Sequence, residues 1–147
     1  MTTLHNILNA TQHTAHATDA GTKIHAQLQQ IVIDGDKHTG NETIIQKIIT
    51  NPHIASFFTP ESRTEVPIAG TINNRFISRR IDRLLINTTT KTIQILDYKS
   101  DISRNAFYTK YIAQIKEYAE LLRTIYPDYK ITGHILWTHD FSLEQVI

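Results

Sequence analysis

The sequence predicts an α/β layer sandwich with a mixed sheet, and three observations lead there. Apolar residues before about position 50 recur at helical spacing. From Arg63 the pattern turns to runs rich in Ile, Leu, Val, Tyr and Phe, at Arg63–Gly70, Arg75–Asn87, Lys91–Lys99 and Lys130–Thr138. A long amphipathic segment, Arg104–Ile125, lies between the third run and the fourth. The order is helix, three strands, helix, strand, and the 147 residues suit one domain, 1–147, with about 1–14 as a soft lead-in.

Each element has its own justification. Ala17, Gly21 (or Ala20), Ile24, Leu28 and Ile31 form a stripe that predicts a helix from about Ala15 to Val32, ended by Asp34-Gly35-Asp36. A second helix, about Asn41–Thr50, carries Ile44, Ile45, Ile48 and Ile49 and stops before Asn51-Pro52, since a residue preceding proline is biased away from helical angles. A short aromatic piece, Ile54–Phe58, follows. In the segment Arg104–Ile125, Ile112, Ile115, Ala119 and Leu122 share one face, and Tyr126-Pro127 closes it.

Composition narrows the function. The longest apolar run is three residues, against about twenty for a membrane-spanning helix, so no membrane association is expected. The absence of cysteine excludes disulfides, thiolate metal sites and a thiol nucleophile. Residues 1–19 lack the basic and apolar regions of a secretory signal, which makes the cytoplasm the expected compartment. The net charge of +1 hides an asymmetry: Arg75–Lys116 holds nine Lys or Arg against three Asp and no Glu. Such a basic stretch suits a polyanion, and it equally describes a solvated surface.

The chemistry concentrates at Asp97-Tyr98-Lys99, which ends the apolar run Ile93–Leu96. Strand alternation sends Asp97 and Lys99 to one face and Tyr98 to the other. A hairpin symmetric about Thr89 and Thr90 then sets Asp82 opposite Asp97, Leu84 opposite Ile95 and Ile86 opposite Ile93. Opposed carboxylates destabilise a sheet and resist joint ionisation, and a divalent cation resolves both problems. Cβ atoms about 5 Å apart let both groups reach one ion at about 2.1 Å, the Mg²⁺ distance. Oxygen donors favour Mg²⁺ or Mn²⁺, and a neighbouring Lys suits phosphate chemistry. The alternative is ordinary surface pairing of Asp97 with Lys99 and of Asp82 with Arg80 or Arg83. His134, His139 and Asp140 are scattered by strand alternation and do not read as a metal cluster.

Several short motifs together resemble a family. Thr64-Glu65-Val66-Pro67-Ile68-Ala69-Gly70, Ile81-Asp82-Arg83-Leu84, Ile95-Leu96-Asp97-Tyr98-Lys99-Ser100-Asp101, Gln114 with Tyr118, and Tyr126-Pro127 with Ile135-Leu136-Trp137-Thr138 are similar, in order and spacing, to the C-terminal nuclease domain of AddA. AddA is the helicase-nuclease subunit of the bacterial AddAB break-repair complex, in the RecB-like PD-(D/E)XK superfamily, and the resemblance covers about Gly21–Ile147. It implies a restriction-endonuclease-like core (α-β-β-β-α-β) with an extra N-terminal helical segment. It also implies a Mg²⁺-dependent deoxyribonuclease, with Mn²⁺ as a substitute, acting on single-stranded or unwound DNA ends in break repair and recombination.

Residue by residue, the resemblance makes His25, in Gly21-Thr22-Lys23-Ile24-His25, a metal ligand beside Asp82, Asp97 and the Tyr98 carbonyl. Lys99 becomes the catalytic lysine. Gln114 and Tyr118 match a Q-x-x-x-Y motif that contacts DNA, although Tyr118 equally suits the core, and Glu65 is either a supporting contact or a strand-edge surface residue. Arg79, Arg80, Arg83, Arg104 and Lys110 are expected to grip the DNA backbone. No phosphate-loop motif is present, so no nucleotide cofactor is expected and the helicase portion of an AddA is missing from this chain; that portion and an AddB-type subunit are the implied partners. Two rival expectations are a non-catalytic module that grips DNA ends or docks a subunit, and a restriction-type endonuclease.

Overall fold

The computed structural model describes residues 23–100 and 104–147, without the side chains of residues 104 and 105. The lead-in, the first part of the predicted first helix, Asp101 and the Arg104 side chain lie outside the described residues. Helix α1 occupies residues 23–29, and a hairpin follows, β1 (Val32–Asp34) with β2 (Lys37–Thr39). Then come α2 (Glu42–Ile49), the single turn α3 (Pro52–Ala55), a 3-10 turn (Ser56–Phe58), β3 (Arg63–Ile72), β4 (Arg75–Asn87), β5 (Thr92–Lys99), α4 (Arg104–Ile125), β6 (Lys130–Trp137) and β7 (Ser142–Gln145). Among the described residues no helix is long and apolar enough to cross a membrane.

Strands β3 to β7 form one mixed sheet whose spatial order equals chain order. Only β5 and β6 run parallel, and α4 makes the crossover between them. The two faces of the sheet carry separate cores. Ile68, Ile77, Ile81, Ile93, Ile95 and Ile135 pack with Ile115, Tyr118, Ala119, Leu121 and Leu122 of α4. Leu96, Tyr98 and Leu136 pack on the other face with Leu28, Ile45, Ile48, Phe57 and Phe58. Strand β5 is thus covered on both sides, which is why its sequence is almost continuously apolar. Gly133 lets α4 approach closely, since a Cβ there would meet Ile115 Cγ2 at 2.3 Å.

The predicted hairpin register holds from Arg83↔Leu96 to Asn87↔Thr92, with Leu84 opposite Ile95 and Ile86 opposite Ile93. Its turn lacks a central Gly, and Asn87 compensates: its side-chain oxygen accepts the N–H groups of Thr89 and Thr90, both at 3.0 Å. Lys91 takes the left-handed conformation at φ 53°.

One expectation needs correction, and two segments gain definition. The first helix does not reach Val32: β-branched Val32 and Ile33 enter a strand, and Asp34-Gly35-Asp36 is the turn of a hairpin, with Gly35 at φ 61°. The aromatic piece is two short helical turns capped by Asn51, whose oxygen accepts the His53 N–H at 3.0 Å. The segment after Thr138 adds β7, which completes the sheet edge.

Candidate metal and phosphoryl site

Where β4 and β5 part company, two acidic residues meet. The β4–β5 ladder ends at Arg83↔Leu96, one step before Asp82 and Asp97. Beyond it the Asp82 carboxylate accepts the Tyr98 backbone N–H at 2.8 Å, replacing a strand partner. Alternation along β4 also breaks here. Ile81 and Leu84, three residues apart, both belong to the core beneath α4, and Glu65, whose position interrupts the β3–β4 pairing between Thr64↔Arg83 and Val66↔Ile81, has φ 51°. This paired kink leaves Asp82 on the α4 face beside Asp97 while Arg83 turns to the opposite face.

The carboxyl groups of Asp82 and Asp97 lie side by side. Burial, and then the neighbouring Asp97 charge, raise the Asp82 carboxyl far above the ordinary carboxylate range. Asp97 is 3% exposed. Lys99 Nζ stands 3.0 Å from Asp97 Oδ2, but in poor alignment, and that buried oxygen has no hydrogen-bond partner. Lys99 Nζ instead donates to Gln114 Oε1 at 3.0 Å and sits 4.4 Å above the Tyr111 ring. Gln114 Nε2 in turn donates to Tyr118 Oη at 2.8 Å. The i, i+4 pair is therefore a tether between Lys99 and a buried phenol.

His25 lies within electrostatic reach of Asp97, Lys99 and Glu65, with its ring edge-on to Tyr98 at 5.4 Å. Burial lowers its pKa, while Asp97 and a hydrogen bond to the Tyr98 carbonyl oppose that shift. Three distant parts of the chain thus converge, α1, β4 and β5.

The donor set suits a hard dication in its carboxylates, two acidic groups side by side with one buried oxygen that makes an ion pair to Lys99 but no hydrogen bond. The imidazole fits less directly: among the described residues no three His, Asp or Glu side chains are grouped closely enough to hold an ion. His25 and the Tyr98 carbonyl satisfy each other, and both have to separate to join the carboxylates.

Two residues expected on the DNA belong to the interior. Arg83 is 1% exposed. Its guanidinium donates to Tyr98 Oη at 2.8 Å, Ser62 Oγ at 2.7 Å, Leu28 O at 2.9 Å and Ile31 O at 3.3 Å, and stacks 4.2 Å from the Phe58 ring. It cannot reach a phosphate; it ties the C-terminal end of α1, and so His25, to the sheet. Burial, despite Arg83, pushes the Tyr98 phenol up to about 12. Tyr118 is 2% exposed, so it offers no face to a base, and burial raises its pKa.

Arg79, Arg80 and Lys110 are exposed. Arg79 pairs with Glu117 at 2.8 Å, and Arg80 stands 3.7 Å from Glu65. Arg79, Lys110, Tyr111, Gln114 and Glu117 line a cleft of about 510 Å³ that opens onto Lys99. Tyr111 was not singled out by the sequence reading. Its signal is its position three residues before Gln114, on the same face of α4.

His134 is buried against Phe57, whereas His139 and Asp140 occupy the β6–β7 turn, so these three form no site. No protein-family model matches the chain, and no curated protein matches it.

Proposed function

We propose that this chain is a Mg²⁺-dependent deoxyribonuclease domain of the restriction-endonuclease-like, RecB/AddA type, hydrolysing phosphodiester bonds in single-stranded or unwound DNA ends. The observation that carries this reading is the Asp82–Asp97 pair held in contact beside Lys99, with Asp97 Oδ2 buried and without a hydrogen bond. A folded protein tolerates such an arrangement where an external cation completes it.

Asp82 and Asp97 would hold the ion, with the Tyr98 carbonyl and His25 as further donors. Once bound, it supplies Lewis-acid polarisation of a phosphoryl oxygen and a water of lowered pKa. Ion binding requires Asp82 in its ionised form. Lys99, steadied by Gln114 and the Tyr111 ring, places a positive charge where negative charge develops on the phosphate. Arg79 and Lys110, lining the same cleft, supply backbone contacts without sequence readout. In the complex that the resemblance implies, a helicase portion and an AddB-type subunit deliver the strand.

One observation favours a second reading, a module that grips DNA ends or docks a subunit without cleaving: the mutual satisfaction of His25 and the Tyr98 carbonyl leaves no three-donor group among the described residues. The two readings part on metal dependence. Incubating labelled single-stranded DNA with the protein in Mg²⁺, in Mn²⁺ and in EDTA decides between them. Fragments that EDTA suppresses and that Lys99→Ala abolishes support the nuclease. Binding without fragments in any metal supports the module.

A further inference from the structure

The β3–β4 hairpin extends past the end of β5 as an arm with one covered face. Val66, Ile68, Gly70, Ile77, Arg79 and Ile81 face α4. The opposite face carries three directly opposed pairs, Pro67↔Arg80, Ala69↔Ser78 and Thr71↔Phe76. All six residues are exposed, and Phe76 at 74% is the most exposed large apolar residue among those described. The second core, built on α1, α2 and the turns after it, includes no residue of β3 or β4.

We propose that this uncovered face is a shelf for single-stranded DNA, with Phe76 stacking a base and Arg80 holding a phosphate. The shelf is positive. Between Val66 and Ile81 there is no Asp or Glu, Arg75 stands at the tip, and the exposed Arg80 guanidinium is 3.7 Å from the Glu65 carboxylate at the base of the arm. A protein partner would ask for several large apolar groups, whereas this face offers one aromatic ring among small side chains. That combination suits bases with an aromatic surface and a backbone with charge.

The proposal rests on the nuclease reading, and its test separates the two. Phe76→Trp places an indole on the shelf, and the chain's other tryptophan, Trp137, is fully buried. In the full chain, in EDTA, the new indole should emit as a water-exposed group and be quenched when an oligothymidylate is added. Phe76→Ala should weaken oligothymidylate binding about tenfold. Arg80→Ala should weaken it and lower the slope of log affinity against log salt by about 0.7.

Parent-like binding by both alanine variants, with the parent chain still cleaving, overturns the shelf and leaves the nuclease reading intact. An indole already shielded in the free monomeric chain overturns it in favour of coverage by residues 1–22, and one shielded only at concentrations where the chain dimerises overturns it in favour of a second copy. A parent chain that neither binds nor cleaves the oligonucleotide overturns both.

Discussion

Two ionic arrangements lie back to back on β5, and they differ in how completely their groups are satisfied. On the face towards α1, the Arg83 guanidinium meets a phenol, a hydroxyl and the carbonyls that end α1, and it stacks on Phe58. On the face towards α4, Asp97 keeps a buried oxygen that is ion-paired with Lys99 but makes no hydrogen bond, and burial beside Asp97 raises the neighbouring Asp82 carboxyl above its ordinary range. A saturated buried charge stabilises the structure around it. An unsaturated one costs stability and persists where something outside the chain completes it.

The largest expected contrast comes from replacing the central cation on each face. Lys99→Ala should reduce cleavage of single-stranded DNA about a thousandfold and lower the urea midpoint in EDTA by less than Arg83→Met does, because Lys99 is partly exposed and makes fewer contacts. Arg83→Met should do the reverse in kind. It leaves the ends of α1 and the Tyr98 hydroxyl without a donor and should destabilise the fold by about 3–5 kcal/mol in urea titration. If Lys99→Ala destabilises as much as Arg83→Met, the distinction between the two faces is lost.

The next contrast is in pH. Asp82 has its folded pKa raised, so the folded state binds the proton more tightly than the unfolded chain. Its contribution to stability is complete below the ordinary carboxylate range and is lost as pH rises towards about 8. In EDTA the melting temperature should therefore fall across that window. Asp82→Asn should flatten the profile, and saturating Mn²⁺ should raise the melting temperature most at the alkaline end, where both carboxylates are free to bind it. A parent profile as flat as the variant's would contradict the raised Asp82 pKa.

The smallest expected effect is steric. Gly133→Ala should push α4 outward at Ile115, costing about 1–3 kcal/mol and slackening the Gln114 tether on Lys99. A urea titration alongside a cleavage assay reads both consequences.

Much of this was legible in the sequence, for reasons visible in particular residues. The hairpin register followed from apolar matching of Leu84 with Ile95 and Ile86 with Ile93, because a one-residue slip would turn every one of those side chains to the wrong face. The bounds of α4 followed from its amphipathic stripe and Tyr126-Pro127. The hairpin of β1 and β2 was hidden because Leu28 and Ile31 continue a helical stripe that tertiary packing uses in two different conformations. The kink at Glu65 and Asp82 is a property of two strands together and leaves no mark on either alone.

Arg83 was misjudged because charge alone sends arginine to the surface. Its signal was nonetheless present. The run Ile93–Leu96 implies a strand covered on both faces, and Arg83 pairs with Leu96, so the residue opposite had to be covered too. Charge asymmetry along a chain therefore needs correction by strand register before it is mapped to a surface.

The sheet's strand order has a consequence for how the protein is made. Since β3 to β7 add in the sequence in which they leave the ribosome, each new strand docks on the one just finished, and contacts stay local until α4 turns the chain over to β6. The acidic pair is therefore complete before the helix that shelters it has been synthesised. During that interval its two carboxylates face solvent on the side that α4 later covers, so their burial is among the last events in building this face of the sheet.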